Sequence, residues 1–327
     1  MKLSIIIPVY GVEKFIGDCI TSCIDNIGND STDVEVIVVD DGTIDSSIKI
    51  AKDLALQYPY IKFFSQENQG LSMARNNGLS KANGKYVWFI DSDDFIAPSV
   101  VSHILSAIDY YSEVDIFDIN YTLVDEYASY SSVASTPANI SSLNLIHGRK
   151  RILEDFSPPV PFHIFKRSFL EENNLLMYPG IYHEDGEFTP RAIWKAEGVV
   201  VLPLVAYYYR QRNQSIMHSV NPKKGEDCIL VAHRLMDFFD YNDLVGYARR
   251  IIDNFISMTY CNGLNNAIVL GHTDRIRIRN AAYEHRCVLK SLRNATQVKY
   301  RVLGYLASIF PKHILTIYLL LMSIKLK

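Results

Sequence analysis

Short apolar blocks alternate with helical patterns through the first hundred residues of the chain. Continuous apolar runs rich in β-branched residues are typical of strands buried on both faces, and they occupy residues 3–9, 34–39, 61–65 and 86–90. Between these runs, apolar side chains recur at helical spacing from about Phe15, Asp45 and Leu71 onward. This order of elements predicts an α/β fold with a doubly wound, mostly parallel sheet flanked by helices.

The pattern changes further along the chain. A Ser- and Ala-rich stretch at 131–144 indicates a loop or an edge strand, and beyond residue 222 the apolar spacing is helical, with no proline until Pro311. We therefore expect an α/β domain at 1–220 and a helical C-terminal region at 221–327. Further elements are predicted in the intervening part, namely helices at 96–111, 148–156 and 188–196 and strands at 115–121 and 199–209.

Carboxylates follow two of the predicted strands. Asp40 comes at the end of the second strand, and Asp91, Asp93 and Asp94 come after the fourth. Parallel strands joined by right-handed crossovers end at the same edge of the sheet, where open α/β folds bind their ligands. Asp91 and Asp93 are two residues apart, and oxygen ligation of this kind suits Mg²⁺ or Mn²⁺.

The same acids have a second interpretation. Asp93 or Asp94 is also well placed to cap a helix that follows Pro98, because a side-chain oxygen there can accept from the first free backbone amides. The convergence with Asp40 at one edge favours the metal site for Asp91 and Asp93. Asp94 is left with the capping role.

Charge and cysteine content exclude some classes of protein. The net charge of -3, from 33 basic and 36 acidic residues, is not that of a nucleic-acid binder, so no nucleic acid is expected as a partner. Five cysteines without a C-x-x-C pair argue against a disulfide framework or a zinc site, and indicate a reducing, cytoplasmic setting. The N-terminal apolar run is too short for a secretory signal, and we expect it to be a strand.

The C-terminal segment has two interpretations. Its apolar run at 314–324 is too short to span a bilayer, which takes about 20 residues, and Lys312, Lys325 and Lys327 flank it. Such a helix can lie in the membrane interface, which would place the protein at the inner face of the cell membrane. It can equally dock on the protein core or on a second copy in a homo-oligomer.

Four motifs follow one another along the chain, namely Ser-Ile-Ile-Ile-Pro-Val-Tyr (4–10), Val-Val-Asp-Asp-Gly (38–42), Asn-Gln-Gly-Leu-Ser-Met-Ala-Arg-Asn-Asn-Gly (68–78) and Phe-Ile-Asp-Ser-Asp-Asp (89–94). In this order they resemble the inverting family 2 glycosyltransferases of the GT-A fold. The resemblance is dense over residues 1–125 and reappears at 183–185 and 208–217. The resemblance implies transfer of a sugar from a nucleotide-sugar donor, with UDP as the expected nucleotide and Mn²⁺ or Mg²⁺ as cofactor. The implied acceptor is a glycan or a lipid-linked glycan in cell-surface polysaccharide synthesis.

The resemblance also implies roles for donor-side residues. Pro8 and Tyr10 match positions of the nucleotide pocket, where an aromatic ring can stack on a base. Asp40 matches the carboxylate that accepts from the uracil ring NH. Arg75 matches the basic residue near the sugar-phosphate end, and an exposed helix arginine is its alternative interpretation.

Further roles concern the metal and the acceptor. Asp93 matches the direct metal ligand of the family's Asp-x-Asp motif, and Asp91 a ligand of the ribose or of a metal-bound water. Asp185 matches the base that takes the proton from the acceptor hydroxyl, with Glu184 positioning the acceptor.

A last group matches the mobile segment that covers the donor diphosphate, namely Arg210, Arg212, Ser215 and His218. Two positions depart from the family pattern. Gly11 stands where Asn is common, and Ile44 stands where a small hydroxyl residue is usual.

Two rival functions remain to be weighed. A sugar nucleotidyltransferase shares this type of sheet, but residues 10–14 lack the Gly-rich, basic phosphate loop that it would show. A binding protein without catalysis would have no need to retain Asp91, Asp93 and Asp185. The sequence therefore favours the transferase.

Overall fold

The structure is a computed structural model, and it describes all residues except 30, 112, 133–144, 155–156, 213–219, 242–244 and 324–327. Most of the loop predicted at 131–144 therefore lies outside the described residues. The chain divides into two compact units, the first from Met1–Gly180 and Phe188–Ser215, the second from Ile181–Glu187 and Ile216–Lys327. Each unit is described separately. The functional division at residue 220 stays a prediction.

Nine strands of the described chain form one mixed sheet in the first unit. They are β1 (Leu3–Val9), β2 (Val34–Asp40), β3 (Ile61–Ser65), β4 (Tyr86–Phe89), β5 (Phe95–Ile96), β6 (Ile116–Asp125), β7 (Leu145–Ile146), β8 (His163–Lys166) and β9 (Val199–Gln211). The spatial order is β3-β2-β1-β4-β8-β6-β9-β5, with β7 paired to β9.

The parallel half of the sheet follows the sequence prediction. Strands β3, β2, β1 and β4 are mutually parallel, and Val9 lies opposite Asp40 in the register. Both faces of β1 and β2 are buried, as their continuous apolar runs predict. Beyond β4 the sheet turns mixed, because β8 pairs antiparallel with both β4 and β6. The predicted α/β sheet flanked by helices is confirmed.

Helices cover the sheet of the first unit. They are α1 (Ile16–Ile27), α2 (Ser47–Ala55), α3 (Leu71–Lys81), α4 (Val100–Tyr110), α5 (Gly148–Glu154) and α6 (Arg167–Glu172), and helix α7 (Glu184–Lys195) contains the boundary between the units. The helix predicted at 96–111 begins late, because Phe95 and Ile96 form strand β5 against β9 and Pro98 disfavours a helical residue before it.

The second unit is helical in the described residues, as the spacing beyond residue 222 predicts. Its helices are α8 (Pro222–Tyr241), α9 (Gly246–Asn266), α10 (His272–Glu284), α11 (Leu289–Asn294), α12 (Val298–Ile309) and α13 (Ile314–Ser323). Within the described part of the chain, none of the helices is both long and apolar enough to cross a bilayer.

Helix α3 packs unusually close to the sheet, and a glycine makes this possible. A Cβ on Gly78 would lie 2.4 Å from Cγ2 of Ile6, which is fully buried in β1. The close contact seats α3 over the ends of β1 and β2 and therefore helps to place Arg75, one turn earlier, at the edge of the sheet.

Replacing Gly78 with Ala should lower the free energy of unfolding by about 1–3 kcal/mol, because the added methyl group overpacks a buried site. The matched control is Gly17→Ala in α1, where a Cβ meets nothing within 4 Å. That change should leave stability unchanged or raise it through helix propensity. Urea denaturation of both variants measures the difference, and equal midpoints would contradict the close packing of α3.

Candidate functional site

The nucleotide-side residues meet where β1 and β2 end. Pro8 is buried in β1 opposite Val39, and Tyr10 follows the strand with 55% of its surface exposed. Asp40 is the last residue of β2 and is half-buried. The structure therefore brings Pro8, Tyr10 and Asp40 together at one edge of the sheet, with the Tyr10 ring open to a ligand.

The two consecutive acids after β2 have different environments. Asp40 Oδ1 accepts from Thr43 N at 2.9 Å, and its side chain stays partly accessible. Asp41 is 3% exposed, and it accepts from the backbone amides of Gln69 and Gly70 at 2.8 and 2.9 Å. Asp41 therefore holds the loop before α3 in place, and Asp40 is the acid whose side chain remains accessible to a nucleobase.

Hydrogen bonds join the loops that follow β1 and β2. Gly11 N donates to Thr43 Oγ1 at 2.9 Å, and Glu13 N donates to Asp45 Oδ2 at 3.1 Å. Burial alone would raise the pKa of Asp45, but its hydrogen bonds, first those from Ser47, lower it. Ile44, one of the departures from the family pattern, is 96% exposed. These hydrogen bonds therefore hold the two loops against each other, and Ile44 lies on their exposed surface.

Arg75 forms an ion pair with the first acid after β4. Its side chain is only 2% exposed, and Nη2 lies 2.5 Å from Asp91 Oδ1. The alternative interpretation of Arg75 as an exposed helix arginine is therefore wrong. A buried guanidinium that faces a carboxylate at the sheet edge is suited to orient Asp91 or to neutralise charge beside it.

Asp93 forms an ion pair with Arg212. Arg212 Nη2 contacts Asp93 Oδ2, and the guanidinium lies over the ring of Phe15 at 5.3 Å. Burial raises the pKa of Asp93; Arg212 opposes this effect and the neighbouring Asp91 adds to it. A further cation at this carboxylate would therefore relieve repulsion that Arg212 does not remove completely.

Asp94 is buried at 0% exposure and links the acidic turn to β9. Tyr207 Oη donates to Asp94 Oδ2 at 2.6 Å, and the Arg210 amide donates to Oδ1 at 2.7 Å. Tyr207 Oη also accepts from Asp91 N at 3.1 Å. Burial, followed by the charges of Asp93 and Asp91, raises the pKa of Asp94 well above its ordinary value.

The prediction that Asp94 caps the next helix is wrong. Helix α4 begins after Ser99, and no side chain caps it. Both carboxylate oxygens of Asp94 instead bind β9, far away in the sequence. Local spacing suggested a cap, and tertiary packing gave the acid another partner.

Arg210 is a strand residue whose side chain is used within the protein. It is 5% exposed, its Nε donates to Asp93 O at 2.9 Å, and its Nη2 lies 3.0 Å from Asp18 Oδ2. Nη1 donates to the carbonyls of Glu126 and Ala128. These contacts support the acidic turn, and the assignment of Arg210 to the segment that covers the donor diphosphate stays a prediction.

Two predicted donor residues, Ser215 and His218, lie outside the described residues.

The predicted acceptor-side pair belongs to the second unit. Glu184 and Asp185 form the first turn of α7, where the helix dipole favours carboxylates. Glu184 is 9% exposed, whereas Asp185 is half-buried and its Oδ1 accepts from Gly186 N at 2.7 Å. Burial lowers the pKa of the preceding His183, with Asp185 opposing, so a neutral imidazole is favoured beside Asp185.

Sequence reasoning missed Tyr207 and Asp18. Tyr207 is one of three consecutive tyrosines in β9, and nothing in that run singles out the one that binds Asp94. Asp18 lies in α1, and its partner Arg210 is 192 residues away. A search for acidic residues outside the family motifs would have identified Asp18 as a candidate, but it would not have identified Arg210 as its partner.

Comparison with known proteins identifies the family of the chain. The family Glycosyl transferase family 2 matches residues 4–172, and the chain belongs to this family. It is 28% identical to the glycosyltransferase EpsJ of Bacillus subtilis over 264 residues, covering 78% of this chain and 74% of EpsJ. It is 33% identical to a glycosyltransferase of Haemophilus influenzae over 188 residues, covering 57% and 69% of the two chains.

A solved structure shares the fold. TarS 1-349 of S. aureus, crystallised in complex with UDP-GlcNAc, superimposes with a TM-score of 0.74 at 23% identity, covering 96% of this chain and 88% of that one. The GT-A fold expected from the sequence is therefore confirmed, and the protein is a glycosyltransferase.

A divalent cation fits the chemistry of the acidic turn. Asp94 N donates to Asp91 O at 3.0 Å, so the turn is tight and presents Asp91 and Asp93 from neighbouring positions. Their carboxylate oxygens are the donors that Mg²⁺ and Mn²⁺ prefer. Among the described residues, no group of three or more His, Cys, Asp or Glu side chains is arranged to hold a metal ion. Donors from the substrate would have to complete the coordination.

The two arginines of this region should differ in their effect on stability. Arg210→Ala should lower the free energy of unfolding by about 3 kcal/mol, because it leaves Asp18 and several carbonyls without donors. Arg212→Ala should cost about 1 kcal/mol or less, since it removes one partly exposed ion pair. Urea denaturation of the two variants checks this order. An equal loss in both would contradict the supporting role of Arg210.

Proposed function

We propose that this glycosyltransferase transfers a sugar, with inversion, from a UDP-sugar to a hydroxyl group of a glycan or lipid-linked glycan in cell-surface polysaccharide synthesis. One observation carries the proposal: Asp40 and the exposed Tyr10 share a sheet edge with the arginine-paired acids Asp91 and Asp93. This arrangement suits a nucleotide whose nucleobase lies at Tyr10 and Asp40 and whose diphosphate lies at Asp91 and Asp93.

The nucleotide end is assigned to β1 and β2. Tyr10 offers an exposed ring for stacking on the base. Asp40 offers an acceptor-only carboxylate for a ring NH, with Pro8 forming the pocket wall beneath it. The complexes of S. aureus TarS with UDP-GlcNAc and with UDP support UDP as the nucleotide.

The diphosphate end is assigned to the turn after β4. Asp93 and Asp91 would hold Mn²⁺ or Mg²⁺, which when bound supplies Lewis-acid stabilisation of the leaving diphosphate. Arg75 orients Asp91 through their 2.5 Å ion pair. Arg212 is already beside Asp93 and can move its guanidinium to a phosphate oxygen, a partner of similar geometry. Ser215 and His218 keep their assignment to the diphosphate from the family motif.

The acceptor hydroxyl is assigned to Asp185. A carboxylate can take the hydroxyl proton while the oxygen attacks the anomeric carbon, and Glu184 then positions the acceptor. Direct attack from the face opposite the leaving group inverts the anomeric configuration. Support comes from the family motif and from the partly accessible Asp185 carboxylate at the start of α7.

A donor screen tests the function and its catalytic base together. The protein is incubated with UDP-, GDP- and dTDP-sugars, with Mn²⁺, with Mg²⁺ or with a chelator, and release of the free nucleotide is measured. We expect release from a UDP-sugar, lost with the chelator and reduced about 10²–10⁴-fold in Asp185→Asn when acceptor is present. Affinity for UDP should remain unchanged in that variant.

The control for this screen is Asp53→Asn, which changes an exposed carboxylate on α2. It should leave turnover unchanged. Wild-type turnover in Asp185→Asn would refute the assignment of the base. Absence of nucleotide release from every donor would refute the proposed function itself.

We also propose that the C-terminal helices contact an anionic membrane surface. Residues 285–327 contain eight Lys and Arg and no Asp or Glu, although the whole chain has a net charge of -3. On α12, Val298, Tyr305 and Ile309 share a helical face and are more than half exposed, while Leu303 and Ala307 are buried. An exposed apolar stripe among basic residues suits anionic lipid headgroups. The protein would then act in the cytoplasm, at the inner face of the cell membrane.

Reversing charge on this surface tests the contact without damaging the core. Deletion of 313–327 is unsuitable, because Ile314 and Tyr318 are buried. The triple variant Lys299→Glu, Arg301→Glu and Lys312→Glu should abolish co-flotation with phosphatidylglycerol vesicles, by removing about 1 kcal/mol per cation.

The control for this surface is a second triple variant, Lys49→Glu, Lys52→Glu and Lys81→Glu, on exposed positions of the first unit. It has the same change in net charge and should still float. Equal flotation of the first variant and the wild type would contradict the contact, as would equal binding of the wild type to phosphatidylcholine vesicles.

A further inference from the structure

A cluster of aromatic rings adjoins the acidic turn and ends at the protein surface. The Tyr121 ring, in β6, stacks on the Phe162 ring with centroids 4.0 Å apart and planes 6° from parallel. The edges of Phe162 meet Tyr207 and Tyr209 of β9 at 5.6 and 6.3 Å. We name Tyr121 and Phe162 the aromatic platform.

The platform is connected to the acids through Tyr207. The Tyr207 ring packs against Phe162, and its hydroxyl donates to Asp94 and accepts from the Asp91 amide. Phe162 is therefore one ring away from the turn that carries Asp91 and Asp93. Tyr121, the outer ring, is joined to the same turn through Phe162 and Tyr207.

The outer ring is accessible and the inner ring is not. Tyr121 is 41% exposed, whereas Phe162 is 3% exposed. Because one face of Tyr121 lies on Phe162, its exposed surface is the opposite face and the ring edge. An exposed tyrosine held flat by a buried ring loses little conformational freedom when something packs on it.

The platform and the nucleotide end lie on opposite sides of β4. In the sheet order, β1 and β2 with Tyr10 and Asp40 lie on one side, and β8 and β6 lie on the other. Because β8 runs antiparallel to β4, with Trp88 opposite Ile164, Phe162 lies toward the end of β4, from which the chain continues to Asp91. A donor that extends from Asp40 to Asp91 would leave the platform free for a second substrate.

The charged residues of β6 and the turn after it indicate whether that substrate is neutral or anionic. Strand β6 and the turn after it, residues 116–132, contain no Lys or Arg and include the acids Asp118, Asp125 and Glu126. Among the described residues, the two guanidinium groups that contact this stretch are already paired, Arg151 with Asp118 and Arg210 with backbone carbonyls and Asp18, so they are not offered to a phosphate group. A neutral sugar ring, whose C–H face packs on an aromatic ring and whose hydroxyl groups bind carboxylates, fits both features.

We propose that the exposed face of Tyr121 is the acceptor subsite, on which the ring of a neutral cyclic sugar stacks. The acceptor is then a glycan that ends in a ring sugar, not an acyclic polyol phosphate polymer. The assignment of Tyr121 to an acceptor rests on the proposed glycosyl transfer. Binding of a sugar at Tyr121 can nevertheless be measured without turnover.

Saturation-transfer NMR tests the subsite with defined probes. The full chain, with UDP and Mg²⁺ present, is mixed with the methyl β-glycosides of glucose, galactose and N-acetylglucosamine, and separately with ribitol 5-phosphate. We expect saturation of ring protons on one face of at least one glycoside and none of ribitol 5-phosphate. Tyr121→Ala should weaken glycoside binding at least fivefold, and Tyr121→Phe should retain it.

The matched control is Tyr110→Ala. Tyr110 is also an exposed tyrosine beside one other ring, Tyr111, but it lies on α4. It should not change glycoside binding. Circular dichroism and the affinity for UDP should be the same for all three variants and the wild type, so a loss confined to Tyr121→Ala reports the subsite.

Three results would overturn the inference. They are binding of no glycoside by the wild type, equal binding by wild type and Tyr121→Ala, and preferential binding of ribitol 5-phosphate. Failure of the proposed function is distinguishable, because it would appear as absence of nucleotide release from every donor while glycoside binding still depends on Tyr121.

Discussion

The buried carboxylate of Asp94 is the contact on which the donor edge of the sheet depends. It lies in the turn after β4, and both of its oxygens bind β9, through Tyr207 Oη and the Arg210 amide. A carboxyl group at 0% exposure is costly unless hydrogen bonds satisfy it. The same bonds that satisfy Asp94 fix the position of Asp91 and Asp93 relative to strands that follow more than a hundred residues later.

Three acids in one short turn create a repulsion that the protein distributes over three arginines. Arg75 pairs with Asp91, Arg212 pairs with Asp93, and the Arg210 side chain binds the turn's carbonyl and Asp18. The arginines differ in how tightly they are held. Arg75 and Arg210 are almost completely buried, whereas the Arg212 side chain is 20% exposed. Of these three arginines, Arg212 is therefore the one that we propose exchanges its carboxylate partner for a phosphate group of the substrate.

The nucleotide half of this edge follows closely from the sequence, because its information is local. The apolar runs at 3–9 and 61–65 coincide with β1 and β3. Parallel pairing then places Asp40 beside the end of β1 without further knowledge. The different roles of Asp40 and Asp41 could not be predicted from the sequence. They depend on the backbone amides of residues 69 and 70, which donate to Asp41.

In the other half, strands β6 and β9 are predicted from the sequence but their side-chain contacts are not, and the reason is topological. Its parts come from β6, β8 and β9, which are joined by long connections and pair in mixed directions. A tyrosine in β6 shows no sign in its own neighbourhood that Phe162 will stack on it, or that Tyr207 will join both to Asp94. The four motifs that carry the family resemblance lie between residues 4 and 94, before β6, β8 and β9. The side-chain contacts of these three strands must therefore be assigned from packing, one contact at a time.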